Sequence, residues 1–281
     1  MTILETLKLA TEYLEKYNIE NARLNAELLL SDILKCKRLE LYTSFDKPLN
    51  ENELQKYREF LKRRAKGEPL QYITGKANFF GLEFIVTPDV LIPRPETELL
   101  VEEIINSLDK NISMKILDVC SGSGNIGITL AKNFPASFVY CLDVSEKAIE
   151  IGNLNAKNLN VENISFQLID ILNQIPDEKD FDVIVSNPPY ISFEKKDKLQ
   201  REVRLYEPHT ALFVDDELKF YRRIIELTDS LLNEKGKLFF EIDDELVDSI
   251  SQLMKEKNFK SIKVKKDYSG LNRIISGEKS K

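Results

Sequence analysis

Lys115-Ile116-Leu117-Asp118-Val119-Cys120-Ser121-Gly122-Ser123-Gly124-Asn125-Ile126-Gly127 is a short apolar run that breaks into a glycine-bearing loop and resumes with helical spacing. An apolar run of this length ending in glycine reads as a buried strand. Glycine at 122 and 124 lets the chain turn sharply and lets a ligand approach the backbone without meeting a Cβ atom. The pattern then repeats: Phe138 to Asp143 reads as a second strand, a helix starts at Ser145, and Ile164 to Ile169, Val183 to Val185 and Leu238 to Ile242 read as further strands. Strands alternating with helices predict a parallel sheet covered on both faces, an α/β fold. Ser261 to Val264 and Arg273 to Ile275 have no helix between them and suit a closing antiparallel hairpin.

Asp143 lies 21 residues beyond Gly122 at the end of the second strand, where a carboxylate can accept hydrogen bonds from both hydroxyls of a ribose. The loop fits any nucleoside-containing cofactor. Gly122, Gly124 and Gly127 can also be drawn as a G-x-G-x-x-G frame, so a dinucleotide stays open, as does a tight turn with no ligand. Asp170, after the third strand, is placed either to meet the base of the same nucleoside or to cap a helix.

The strand Phe181 to Ser186 ends directly in Asn187-Pro188-Pro189-Tyr190. Ligands of open α/β sheets lie beyond the carboxyl ends of the strands. Two successive prolines have no N–H, so this loop offers carbonyl oxygens but few donors. Asn187 adds a side-chain oxygen and Tyr190 an aromatic face. The result is an acceptor-rich slot for a planar group bearing an NH2, where an ordinary turn is the competing reading.

The amino-terminal part differs in character. Ile3, Leu7, Ala10, Leu14 and Tyr17 share one helical face, Leu24, Leu28 and Ile33 another, and Leu54, Tyr57, Leu61 and Ala65 a third. Asn50 with Glu53 forms a capping box for the third helix. A small helical bundle follows. The cluster Lys62, Arg63, Arg64 and Lys66 reads as a solvated helix face, with a docking surface as the alternative. Between them, Asn78 to Val86 suits a β-hairpin, and Leu91 to Glu98 an extended stretch whose prolines precede a helix beginning near Thr97. Arg94 and Glu96 belong either to that turn or to a ligand site.

Composition limits the classes. The chain has 281 residues with 42% hydrophobic and 31% charged; the composition is that of a soluble globular protein, and the length favours two domains over a single large α/β domain. No apolar stretch approaches a membrane span, and the start lacks a signal peptide, so no membrane partner and a cytoplasmic location are expected. Three scattered cysteines and one histidine, His209, argue against a zinc centre; the cysteines read as small apolar residues and His209 as a loop residue. A net charge of −7 counts against a nucleic-acid substrate.

Asn187-Pro188-Pro189-Tyr190 is similar to the signature of amino-methyltransferases that use S-adenosyl-L-methionine. With Gly67 to Gly75, Phe79-Phe80-Gly81, Leu91 to Glu98, Asp118 to Gly124, Tyr206-Glu207-Pro208, Ala211-Leu212 and Asp267 to Arg273, nearly the whole chain resembles the bacterial release factor glutamine methyltransferases, the HemK/PrmC family. The resemblance implies a helical substrate-recognition domain over 1–75, a hairpin linker over 76–95 and a seven-stranded Rossmann-like methyltransferase domain over 96–281. It implies N5-methylation of the glutamine in the Gly-Gly-Gln motif of class 1 peptide chain release factors. It further implies a cofactor site of Cys120, Ser121, Gly122, Ser123, Gly124, Asp143, Asp170, Ile171 and Asn187, a substrate site of Asn187, Pro188, Pro189 and Tyr190 in which Asn187, Pro188 and Tyr190 are the catalytic residues, and no metal. Cys120-Ser121, Asp216-Glu217 and Asp243 depart from the family pattern. Related activities share the slot: glutamine methylation of a large-subunit ribosomal protein, and adenine-N6 methylation of nucleic acid. A non-catalytic nucleoside-binding adaptor is the reading from another class.

Overall fold

The computed structural model describes residues 1–280. Along the chain, helices α1 (Ile3–Lys16), α2 (Ala22–Leu34), α3 (Arg38–Tyr42), α4 (Glu51–Ala65) and α5 (Leu70–Thr74) precede the strands β1 (Lys76–Phe79) and β2 (Leu82–Ile85). There follow α6 (Pro95–Ser107), β3 (Lys115–Val119), α7 (Asn125–Asn133), β4 (Phe138–Asp143), α8 (Glu146–Asn158), β5 (Ile164–Leu168) and β6 (Phe181–Ser186). The remainder holds β7 (Ile191–Ser192), α9 (Arg201–Tyr206), β8 (Phe213–Val214), α10 (Lys219–Leu231), β9 (Leu232–Glu241), α11 (Val247–Glu256), β10 (Phe259–Lys266) and β11 (Asn272–Lys279). The chain forms two compact units, Met1–Lys76 with Gln200–Tyr206, and Ala77–Leu199 with Glu207–Lys281.

In the helical unit, Thr2 with Glu5 and Asn50 with Glu53 close capping boxes at α1 and α4, each satisfying otherwise unpaired N–H groups of a first turn. Ile3, Leu7, Ala10 and Leu14 of α1 and Leu54, Tyr57, Leu61 and Ala65 of α4 are buried as their spacing predicts; Tyr17, just past the end of α1, is exposed. The face expected of α2 is wrong. Leu24 is exposed and Leu28 and Ile33 are only half-buried, while Ala22, Ala26, Leu29 and Leu30 face the core. Alanine at 26 allows close approach, and its carbonyl accepts the Tyr57 hydroxyl at 2.8 Å. The expected solvated basic face is also only half correct. Lys62 and Lys66 are exposed, but Arg64 is buried, pairing with Glu202 at 2.8 Å and donating to Asn25 Oδ1 and the Glu68 carbonyl. Arg63 grips the Glu68 carboxylate with two nitrogens. Glu202 lies on α9, so a segment 136 residues or more beyond Arg64 in sequence belongs to the helical unit.

The second unit is built on a seven-stranded sheet in the order β10-β11-β9-β6-β3-β4-β5, in which β11 pairs antiparallel with both neighbours and the other pairings are parallel. Strand residues alternate between two buried layers, as a sheet covered on both faces requires. Ile116, Val139, Val183 and Phe239 face one layer with α6, α7 and the hairpin phenylalanines Phe79 and Phe84. Leu117, Leu142, Ile184, Leu238 and Phe240 face the other with α10 and α11. The hairpin turns at Phe80 and Gly81, both at positive φ, the backbone a two-residue hairpin loop needs. Helix α6 starts two residues earlier than expected, at Pro95, whose fixed φ and missing N–H suit a first helical position.

Candidate functional site

The parallel register aligns the carboxyl ends of four adjacent strands. Val119 pairs with Leu142 and with Ser186, and Ser186 pairs with Phe240, so the loop after β3, the end of β4, the loop after β6 and the end of β9 meet on one edge. A cavity of about 560 Å³ opens there, within the range of small-ligand sites. Cys120, Gly122, Asp143, Asp170, Ile171, Asn187 and Pro189 line it.

The loop begins at Cys120 with φ 64°, a left-handed conformation uncommon for a side-chain-bearing residue, and Gly122 and Gly124 also lie at positive φ. The chain thus turns back over β3, and the Gly122 N–H donates to Asp143 Oδ2 at 2.8 Å. Ser145 N–H donates to Asp143 Oδ1 at 2.9 Å. These bonds fix the carboxylate at the cavity wall and leave each oxygen further lone pairs. Burial raises the Asp143 carboxyl above its ordinary value, against the lowering effect of those N–H groups. Ser121 and Ser123 are buried behind the loop, and the Ser123 carbonyl accepts from Asn155. Gly127 has a packing role: a Cβ there would come within 2.3 Å of Cys141 Sγ, and its N–H donates to the buried Asp118 Oδ2. Asp170 caps a turn, since its oxygens accept from Leu172 N–H and Asn173 Nδ2 and no helix follows.

On the acceptor side, Asn187 is half-buried where β6 ends. Its Nδ2 donates to Thr97 Oγ1 at 3.2 Å, and Thr97 Oγ1 donates to Glu241 Oε2 at 2.6 Å. Pro188 and Tyr190 stand outside the cavity wall; Tyr190 packs against the second core layer near Arg273, and burial raises its phenol. Neither Thr97 nor Glu241 is marked by the sequence as a site residue. The available signal was a carboxylate closing an otherwise apolar strand. Arg94 turns inward to a 2.6 Å ion pair with Glu207, whose side chain is 1% exposed, while Glu96 is exposed. His209 is exposed, edge-on to Phe213. Phe193, Phe213 and Val214, around the β7–β8 pairing, complete the cavity wall. No helix among the described residues is long and apolar enough to cross a membrane.

The family model of the PrmC N-terminal domain matches residues 5–75, and that of the methyltransferase small domain residues 95–205. A crystal structure of a methyltransferase from Pyrococcus furiosus shares the fold, with a TM-score of 0.53 at 19% identity over 83% of this chain and 100% of that one. A release factor glutamine methyltransferase of Koribacter versatilis is 38% identical over 99% of both chains. Another, from Leptospira interrogans, is 39% identical over 98% of this chain and 97% of its own. At this identity over the full length, the chain belongs to the release factor glutamine methyltransferase family.

Proposed function

We propose that the protein transfers a methyl group from S-adenosyl-L-methionine to the side-chain nitrogen N5 of the glutamine in the Gly-Gly-Gln motif of class 1 peptide chain release factors. The observation that carries this reading is the placement of Asn187, its NH2 engaged with Thr97, on the wall of a cavity shared with Asp143. The residues present fit the cofactor: an acidic strand end for the ribose, a loop with two positive-φ glycines for the amino-acid part, and Asp170-Ile171 on the wall for the base. When bound, S-adenosyl-L-methionine supplies an electrophilic sulfonium methyl.

An amide nitrogen is a poor nucleophile because its lone pair is delocalised into the carbonyl. The protein must therefore hold it in line and favour the positive charge that develops on it. Asn187 Oδ1 and the Pro188 carbonyl accept the two amide hydrogens, fixing the nitrogen while stabilising charge as it forms. Pro189, on the cavity wall, flanks the amide plane, while Tyr190 packs into the core layer behind it. The helical unit, near neutral with 13 Lys and Arg against 12 Asp and Glu over residues 1–75, grips the protein substrate rather than taking part in chemistry. The full-length relatives support a release factor as substrate over a ribosomal protein or adenine. Mass spectrometry of a release factor incubated with enzyme and S-adenosyl-L-methionine tests the reading. A single added methyl on the Gly-Gly-Gln glutamine is expected, and an unmodified glutamine would overturn it.

A further inference from the structure

The pairing of Ser186 with Phe240 sets Asn187 beside Glu241, and Thr97, in the first turn of α6, lies between them. Thr97 and Glu241 are 2% and 3% exposed. A hydroxyl carries one proton and two acceptor positions. Thr97 gives its proton to the Glu241 carboxylate, so toward Asn187 it can only accept. The two ends of a carboxamide are nearly identical in shape, and a half-turn about the terminal bond costs little sterically. It would, however, bring Oδ1 against the Thr97 oxygen, acceptor to acceptor, and would present two donors to a substrate amide that itself needs acceptors.

We infer that Thr97 and Glu241 are positioning residues that lock the Asn187 carboxamide with Oδ1 toward the substrate amide. This inference rests on the acceptor role proposed for Asn187. Burial raises the Glu241 carboxyl to about 7, while the Thr97 hydroxyl and the positive charges of Arg273 from β11 and Arg94 at the head of α6 draw it down and Glu96 opposes them, so Glu241 takes the Thr97 proton in its ionised form, above about pH 7. The Tyr221 hydroxyl donates to the Glu241 backbone carbonyl at 2.9 Å, holding the end of β9 in place.

The test is a kinetic cycle on the full chain with a Gly-Gly-Gln peptide, alongside calorimetry of S-adenosyl-L-methionine binding. Thr97→Val keeps the shape of the side chain and removes the hydroxyl. It should lower kcat by about 10- to 100-fold while cofactor affinity changes by less than about 3-fold. Thr97→Ser should restore kcat to within about 3-fold of the parent, because it returns the hydroxyl. On an Asn187→Ala background, Thr97→Val should change the residual rate by less than about 2-fold, as expected when one group acts through the other. If Thr97→Val does not fold, Glu241→Gln carries the same cycle, since a carboxamide there no longer compels Thr97 to accept from Asn187.

Unmodified peptide with the parent enzyme, or normal turnover by Asn187→Ala, would overturn the reading of the site and this inference with it. If Asn187→Ala is inactive while Thr97→Val retains the parental kcat, or if Thr97→Val lowers the rate equally on both backgrounds, the positioning role alone is wrong.

Discussion

The two sides of the site are assembled differently. On the cofactor side, Gly122 and Asp143 are 21 residues apart, joined through one βαβ unit, and are tied by a backbone N–H. On the acceptor side, Asn187 meets Thr97 across 90 residues and Thr97 meets Glu241 across 144, through side chains alone. Backbone-built sites tolerate changes of side chain at most loop positions, because the donors belong to every residue. A relay of side chains has no such redundancy. Losses of function should therefore be steeper and more specific on the acceptor side.

The largest effect is expected at Asn187. Asn187→Ala removes the proposed acceptor and should lower kcat by about 100-fold or more, while calorimetry shows S-adenosyl-L-methionine binding largely retained. Turnover near that of the parent would erase the contrast between the two sides. Asp143→Ala tests the other side. Loss of a charged acceptor for ribose hydroxyls costs about 1.5–3 kcal/mol, so cofactor affinity should fall by roughly 10- to 100-fold. The rate at saturating cofactor should fall much less, and unchanged affinity would remove Asp143 from the site.

The same contrast explains what the sequence discloses. A strand, a glycine turn and an acidic end on the next strand are neighbours by the rules of βαβ geometry, so the cofactor side is legible from spacing. The Asn187 loop is legible for the same reason, since it directly follows a strand. Its partners are not, because nothing in chain order says that β9 lies next to β6 or that α6 delivers Thr97 to that edge. Thr97 reads as an ordinary residue of a helix start, and Glu241 as the end of a strand. In the helical unit, side-chain size misleads. Large leucines suggest one face of α2, yet small Ala22 and Ala26 set the packing distance and choose another. Arg64 reads as solvated within a basic run, but its partner Glu202 arrives from a distant segment.

The helical unit offers a smaller, more selective effect. A chain beginning at Ala77 should bind cofactor normally and methylate an intact release factor about 10-fold more slowly, with a loss of about 2-fold on a short Gly-Gly-Gln peptide, since remote contacts carry recognition of a folded protein. Circular dichroism must accompany the comparison, because the deletion removes Arg64 and leaves α9 without its partner. Equal rates on the intact factor for a folded truncation would exclude the helical unit from recognition.

The smallest effect lies behind the loop, at Asp118. Its Oδ2 accepts from Gly127 N–H at 2.9 Å, its Oδ1 has no hydrogen-bond partner, and burial pushes its carboxyl up to about 8 from 3.8. The folded chain therefore keeps a proton on Asp118 over a range where the unfolded chain has released it. Stability from this group is fully present below about pH 4 and is lost as pH rises through about 8. Asp118→Asn retains an oxygen for Gly127 and never ionises. Its buried NH2 costs stability at every pH equally, so the diagnostic quantity is the slope and not the offset. Between pH 5 and pH 9 the parent Tm should fall relative to the variant by about 2–4 °C for each kcal/mol of linkage. Glu241, raised by burial to about 7, contributes a slope of the same sign in both proteins and cancels in the difference. Parallel Tm profiles across that range would show that Asp118 titrates in the folded chain as it does in the unfolded one, and that the backbone-built side of the site stores no buried proton.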